Sequence, residues 1–178
     1  GDMPKEGSRK AINELHEMGI RTLMFSGDNQ LAANFIATQV GIDDARGELL
    51  PEDKLQVIDE LSQKGMVGMV GDGINDAPSL ARADIGFAMA VIGSDAALET
   101  ADIALMDDDL RKIPAVIRLS KGTHRILLQN ISFALITKAL FLIITLLGYG
   151  TMWMAVFADI GASLIVVLNA LRLLRLRG

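Results

Sequence analysis

The chain contains no cysteine. That single absence excludes a disulfide scaffold, a zinc finger and a thiol nucleophile. Basic residues are scarce in the first two thirds, where residues 1–120 hold 11 Lys/Arg against 21 Asp/Glu, a net of −10. Phosphate backbones need clustered Lys/Arg, so no nucleic-acid partner is expected. Acid is scarce in the remainder. Residues 121–178 carry six Lys/Arg and one carboxylate, Asp159, a net of +5. No basic segment followed by an apolar core opens the sequence, so no signal peptide is expected. What is present is an acidic front and a basic, apolar back, which indicates two physical environments rather than one globule. The 178 residues suffice for one soluble domain and a short extra module.

The back is apolar because it holds two long runs with almost no charge. Residues 126–147 contain one charge, Lys138, and residues 152–171 contain one, Asp159. Each run is about the ~20 residues that cross a hydrocarbon core of roughly 30 Å. Gly148, Tyr149, Gly150 and Thr151 form an uncharged turn between them, while Lys121, His124 and Arg125 flank one end and Arg172, Arg175 and Arg177 the other. Both basic ends therefore belong in the cytoplasm, the turn faces out, and Tyr149 and Trp153 fall at an interface that favours amphipathic rings. The competing reading is a helical hairpin buried in a large soluble protein.

A charge at the bilayer centre costs at least ~2.5–3.5 kcal/mol and marks a paired group or an ion path. Lys138 and Asp159 have opposite sign and similar depth on antiparallel spans, with small residues Ala155, Ala158, Gly161 and Ala162 around the acid. Two readings stay open on position alone: an ion pair tying the hairpin together, or a cation site with Asp159 as hard oxygen ligand and Lys138 as its counter-charge.

The front alternates helix and strand. The spacing predicts helices over 4–18, 29–40 and from Pro51 to about Gln63, with a further short one over 95–100. Strands are expected at Ile20–Phe25, Met66–Val70, Ile85–Met89 and Ile103–Met106, and residues 108–125 form an amphipathic helix leading to the spans. Apolar strands alternating with helices predict a parallel sheet covered on both faces, with chemistry at the carboxyl ends of the strands. Two motifs fall there: Ser26-Gly27-Asp28 and Gly71-Asp72-Gly73-Ile74-Asn75-Asp76. Asp72 and Asp76, with Asn75 beside them, are hard oxygen donors suited to Mg²⁺ and a phosphate. Ser26 and the Gly27 amide, just before a helix, can hold phosphate oxygens, and Lys54 can neutralise a transferring phosphoryl group. Singly, Ser-Gly-Asp is also a common turn and Pro51-Glu52-Asp53-Lys54 a common helix start. The string GDGINDAPSLARADIG over residues 71–86 is far more specific.

These three motifs, in this order and followed by two spans, resemble the P-type cation-transporting ATPases. The spans are similar to the zinc/cadmium/lead branch, which has a lysine at the place of Lys138, eight residues after Asn130, and an Asp-x-Gly motif at the place of Asp159-Ile160-Gly161. The resemblance implies an incomplete haloacid-dehalogenase-like, Rossmannoid α/β domain followed by a two-helix transmembrane hairpin. Its segments would be the C-terminal part of a phosphorylation domain (1–107), a connecting helix (108–125), spans at 126–147 and 152–171, and a cytoplasmic tail (172–178). It implies that Asp72, Asp76 and Asn75 hold Mg²⁺, that Lys54, Ser26 and Gly27 meet the phosphoryl group, that Asp28 lies near the nucleotide, and that Asp159 and Lys138 form the transported-metal site. Asp2 matches the aspartate at which the family's chain re-enters this domain. Ser26 stands where threonine is usual and Lys5 where arginine is common, which keeps the charge without the planar fork.

The implied protein is a multi-pass cell-membrane pump for Zn²⁺, Cd²⁺ or Pb²⁺, using ATP and Mg²⁺, with its soluble half in the cytoplasm. Its Asp-Lys-Thr-Gly-Thr acceptor motif, nucleotide domain, actuator loop, earlier spans and Cys-Pro-Cys motif do not occur here, so a fragment, a truncated product or one part of a split pump is expected. Without the acceptor strand, which is central in the family's sheet, strand edges would be left unpaired. Two rivals stay open: a membrane-anchored Mg-dependent phosphatase or phosphotransferase, and a non-catalytic membrane remnant or subunit.

Overall fold

The computed structural model describes residues 6–71, 75–90, 100–106 and 109–177. The chain divides into two compact units, residues 1–114 and 115–178. The first contains α1 (Glu6–Glu17), β1 (Leu23–Phe25), α2 (Gln30–Val40), β2 (Asp44–Arg46), α3 (Pro51–Ser62), β3 (Gly68–Gly71), α4 (Ala77–Arg82), β4 (Ile85–Ala90) and β5 (Ile103–Met106). A long helix, α5 (Lys112–Leu146), starts in its last residues and continues through the second unit, followed by α6 (Met152–Ala170) and a 3₁₀ segment, Leu171–Arg177.

Helix limits follow local chemistry. The Asn29 side chain accepts the Ala32 N–H at 2.8 Å to start α2, and Gly41, at φ 85°, ends it in the left-handed conformation that favours glycine. Pro51 occupies the first turn of α3, where its missing N–H costs nothing, and the Asp53 carboxylate accepts the Leu50 N–H at 2.9 Å. The core lies between these helices and the strands: Ile58 of α3, Met69 of β3 and Leu80 of α4 form its centre, with Phe25 of β1 packed against them.

Every strand pair is parallel. β1 pairs with β2, and β3, β4 and β5 form a separate three-stranded ladder in that order. Among the described residues no ladder joins β1 to β3, so each keeps one unpaired edge. Register is set by a recurring device. Asp43, Asp84 and Asp102 each stand immediately before a strand, and each carboxylate accepts the backbone N–H of the residue directly opposite: Thr22 at 2.7 Å, Val67 at 2.7 Å and Gly86 at 2.8 Å. Such carboxylates satisfy N–H groups at the strand entrances that no ladder reaches.

The same device shortens two expected strands. β1 begins at Leu23, not Ile20, because Ile20 donates its N–H back to Leu15 O at 3.0 Å and the Thr22 N–H goes to Asp43. β3 begins at Gly68, not Met66, because the Val67 N–H goes to Asp84. Two elements escape the sequence pattern: β2, whose Asp-Ala-Arg has no apolar run, and the six-residue α4. Residues 4 and 5 of the first expected helix, and all but Thr100 of the helix expected over 95–100, lie outside the described residues.

In the second unit, α5 and α6 are joined by a turn closed by Gly148 at φ 81°. The Thr151 hydroxyl starts α6 by accepting the Met154 N–H at 3.3 Å. Large apolar side chains, from Leu127 on α5 to Leu168 on α6, stand exposed. Both helices are long and apolar enough to cross a membrane, and they bury almost none of that surface within this chain. A soluble hairpin would have to hide it, since burial is what apolar surface gains from folding in water.

Candidate functional site

The first cluster forms at the carboxyl end of β3. Lys54, in the first turn of α3, donates from Nζ to Asp76 Oδ1 at 2.8 Å, and each side chain is 16% exposed. Asp76 precedes α4 and its backbone oxygen accepts the Leu80 N–H at 2.8 Å, but its carboxylate caps nothing and turns to the lysine instead. Gly71, the last residue of β3, makes room: a Cβ there would lie 2.7 Å from Asp76 Cβ. The second carboxylate oxygen, Oδ2, sits over that glycine, 2.9 Å from the same point. Removing one partner of so buried a pair leaves a charge stranded in low dielectric, which costs on the order of 3–5 kcal/mol when burial is complete.

The second cluster follows β1. Ser26 donates its N–H to Arg46 O at 2.9 Å, and its Oγ accepts the Asp28 N–H at 3.1 Å. The returning strand braces this turn, with Leu49 donating to Ser26 O at 3.1 Å and Glu48 to Asp28 O at 2.6 Å. Glu48 holds φ 58°, a left-handed conformation uncommon for a residue with a side chain. The Gln30 amide completes the brace, accepting the Gly47 N–H at 2.8 Å and donating to Ala45 O at 2.8 Å. Gly27 and Asp28 are exposed and Ser26 half-buried, so the turn is rigid yet open.

One scaffold carries both clusters. Leu49, bonded to Ser26, adjoins Leu50, whose carbonyl accepts the Lys54 N–H at 3.2 Å, and Phe25 packs on the core that positions α3, β3 and α4. No direct hydrogen bond joins Ser26–Asp28 to Lys54–Asp76 among the described residues. Asn75 is exposed beside Asp76, whereas Asp72, with Asp2 and Lys5, lies outside the described residues. Among the described residues no three His, Asp or Glu side chains gather as a metal would require. Sequence reading missed Gly71 as a cradle and the bracing role of Gln30 and Glu48; a glycine at a strand end was visible, but Gln30 carries no signal of its own.

At the amino ends of β1 and β2 a separate polar knot forms. His16 Nε2 lies 3.0 Å from both the Thr22 hydroxyl and Asp43 Oδ2. The Asp43 carboxyl is held below its ordinary range chiefly by the Thr22 backbone N–H, with the Thr22 hydroxyl and His16 adding to the effect against burial.

In the second unit Lys138 and Asp159 line one groove of about 380 Å³, kept open by Ala134 on α5 and by Ala155, Ala158 and Ala162 on α6. No ion pair joins the two charges among the described residues. The hairpin is tied elsewhere: Asn169 Nδ2 donates to Asn130 Oδ1 at 2.8 Å, and Arg172 donates to Asn169 Oδ1 at 3.1 Å. That clasp was missed in the sequence, where its only signal was amides near the basic ends of the runs, Gln129 and Asn130 in one and Asn169 in the other.

The haloacid dehalogenase-like hydrolase family matches residues 1–84. Over 99% of its length the chain is 49% identical to a probable cadmium-transporting ATPase of Listeria monocytogenes, covering 25% of that protein. It is 47% identical over 97% of its length to a zinc-transporting ATPase of Synechocystis sp., covering 24% of it. A crystal structure of a zinc-transporting PIB-type ATPase in the E2.Pi state superposes with a TM-score of 0.90 at 46% identity, over 97% of this chain and 28% of that one. The chain is similar to P-type ATPases along nearly its whole length. It resembles their heavy-metal branch in both units and spans about a quarter of the length of the relatives it matches. The haloacid-dehalogenase-like part and the two apolar helices are the architecture expected from the sequence, and among the described residues the parallel strands form two short ladders.

Proposed function

We propose that this chain is the C-terminal part of an ATP-driven pump that exports divalent heavy-metal cations through a phosphorylated aspartate supplied by the rest of the pump, in cis or in trans. The observation that carries this reading is the Lys54–Asp76 pair, 2.8 Å apart at a strand end, in a chain whose apolar helices set Lys138 and Asp159 around one groove. ATP is the phosphoryl donor, and the relatives' names favour Zn²⁺ and Cd²⁺ as cargo, with Pb²⁺ as a third candidate.

The donor types fit a hard divalent cation: the Asp76 carboxylate, with Oδ2 lying over the Gly71 cradle, and Asn75, its exposed neighbour in sequence, which would add an amide oxygen. Asp72, next to Gly71 in sequence, would join them. Mg²⁺, when bound, supplies neutralisation of phosphoryl charge and a fixed point for its oxygens. The chain's own residues do the rest. Lys54 lays its ammonium against the transferring phosphoryl group, Ser26 O–H and the Gly27 N–H hold its equatorial oxygens, and Asp28 lies toward the nucleotide. The bond to the acceptor carboxylate forms as the bond to the ADP oxygen breaks, and water later releases phosphate, so the protein contributes positioning and charge.

In the bilayer, α5 and α6 span with the Gly148 turn outside and the soluble unit and C-terminus in the cytoplasm, as Lys121, Arg125 and Arg172 direct. Asp159 is a ligand for the passing cation, and Lys138 replaces its charge once the ion has left. Helices of the remaining pump complete the coordination. The decisive measurement is metal-stimulated ATP hydrolysis by the full-length pump carrying Asp159→Ala. Stimulation by Zn²⁺ or Cd²⁺ should vanish, and wild-type stimulation would overturn the role of Asp159.

A further inference from the structure

Lys121, His124, Arg125, Leu128, Gln129 and Ser132 recur at three- and four-residue intervals, so they share one face of α5. Together they line a shallow cavity of about 600 Å³. All six are exposed. The order along the stripe is directional: cations first, then an apolar residue, an amide and a hydroxyl as the helix enters its apolar run at Ile126. None of the three basic side chains has an acidic partner in the unit, because Asp159 is the only carboxylate between residues 115 and 178. Arg172 is occupied by Asn169. Gln129 accepts from Asn169 Nδ2 through its amide oxygen at 3.3 Å.

We propose that this stripe is a binding site for an anionic phospholipid of the cytoplasmic leaflet. Lys121 and Arg125, with His124 between them, take the phosphate, while Gln129 and Ser132, roughly 6–10 Å further along α5 than Arg125, donate to the acyl-ester oxygens that lie deeper than the phosphate. Leu128 packs against the glycerol carbons between those two levels. The inference rests on the reading of α5 as a membrane span, and it names a lipid class that the span alone would not select. A phosphate held at the entry to an apolar run suits a lipid, whose chains continue along the helix, and does not suit a free anion, which would have water on its open side. Attraction of juxtamembrane cations to anionic lipid is an established effect, on the order of fivefold in affinity for each Lys or Arg.

The test is association of spin-labelled phosphatidylglycerol against spin-labelled phosphatidylcholine with the full-length pump in phosphatidylcholine nanodiscs, read as the motionally restricted fraction. The wild-type pump is expected to prefer phosphatidylglycerol several-fold. Lys121→Gln with Arg125→Gln should bring the preference close to one, while Lys121→Arg with Arg125→Lys keeps it. Millimolar inorganic phosphate should leave the wild-type preference intact. Equal preference in the wild type and the glutamine variant overturns the site, and so does displacement by phosphate, which would mean a free-anion site. Metal-stimulated hydrolysis measured on the same nanodiscs separates the two readings. A pump that turns over without lipid preference sinks this inference alone, and one that keeps the preference without turnover sinks the transport reading alone.

Discussion

Asp76 is placed by a residue that has no side chain. The Cβ of an alanine at position 71 would come within 2.7 Å of Asp76 Cβ, an atom close to the backbone that cannot swing aside as a side-chain tip could. Gly71→Ala should therefore push the start of α4 outward and stretch the Lys54–Asp76 bond. In the full-length pump this should weaken Mg²⁺ dependence and lower turnover by at least tenfold, measurable as the Mg²⁺ concentration needed for half-maximal ATP hydrolysis. Lys54→Ala is expected to cost more, about 10²–10³ in turnover, because it removes a charge aimed at the transferring group. Lys54→Arg should recover part of that loss, since the charge stays but the ammonium's compact shape does not. Steady-state phosphorylation by labelled ATP checks both. At this scale the sequence was informative about identity and silent about support. Asp76 stood out because it sits in a specific string, and Ser26 and Lys54 because their weaker motifs precede that string in order, whereas Gln30 and Glu48 act through a fold that brings residues 26–30 against 45–49.

Elements are aligned by carboxylates at the strand entrances, and one of these gives a pH dependence. The folded-state pKa of Asp43 is depressed, with the Thr22 backbone N–H as the main cause. Its stabilising contribution is present above the unfolded-state value, near 4, and is lost as pH falls through the lower folded-state value. Below about pH 4 the joint between β1 and β2 should loosen, and Asp43→Ala should raise the pH midpoint of acid unfolding followed by circular dichroism. An unchanged midpoint would show that the knot with His16 and Thr22 carries no weight.

The helices that begin with Asn29 and Pro51 were legible because capping chemistry is local. Strand β5 was legible because it is a continuous apolar run. β2 was not, since Asp44, Ala45 and Arg46 form a strand only by pairing with Leu23, Met24 and Phe25. Such pairing is a property of two segments, and no pattern within either one records it.

At the scale of the molecule, the parallel strands fall into two ladders that nothing joins among the described residues. β1 and β3 each present an edge with unpaired backbone groups among the described residues, and unpaired edges invite pairing with another segment. Incubated with labelled ATP, this chain by itself should take up no acid-stable phosphate. Supplied with the rest of the pump, as one polypeptide or as two, it should support labelling of the aspartate on the partner strand. Label on the isolated chain would show that one of its own carboxylates is the acceptor.

In the second unit the helices are tied at two points, by the Asn130–Asn169 amide bond and by the reversal at Gly148. These two ties bracket the stretch in which α5 and α6 run side by side, and Lys138 and Asp159 line the groove between the ties. On the proposed reading of Asp159 as a ligand, a cation between the two ties would enter and depart sideways, through the open flank of the groove, and not by sliding along the seam of the hairpin.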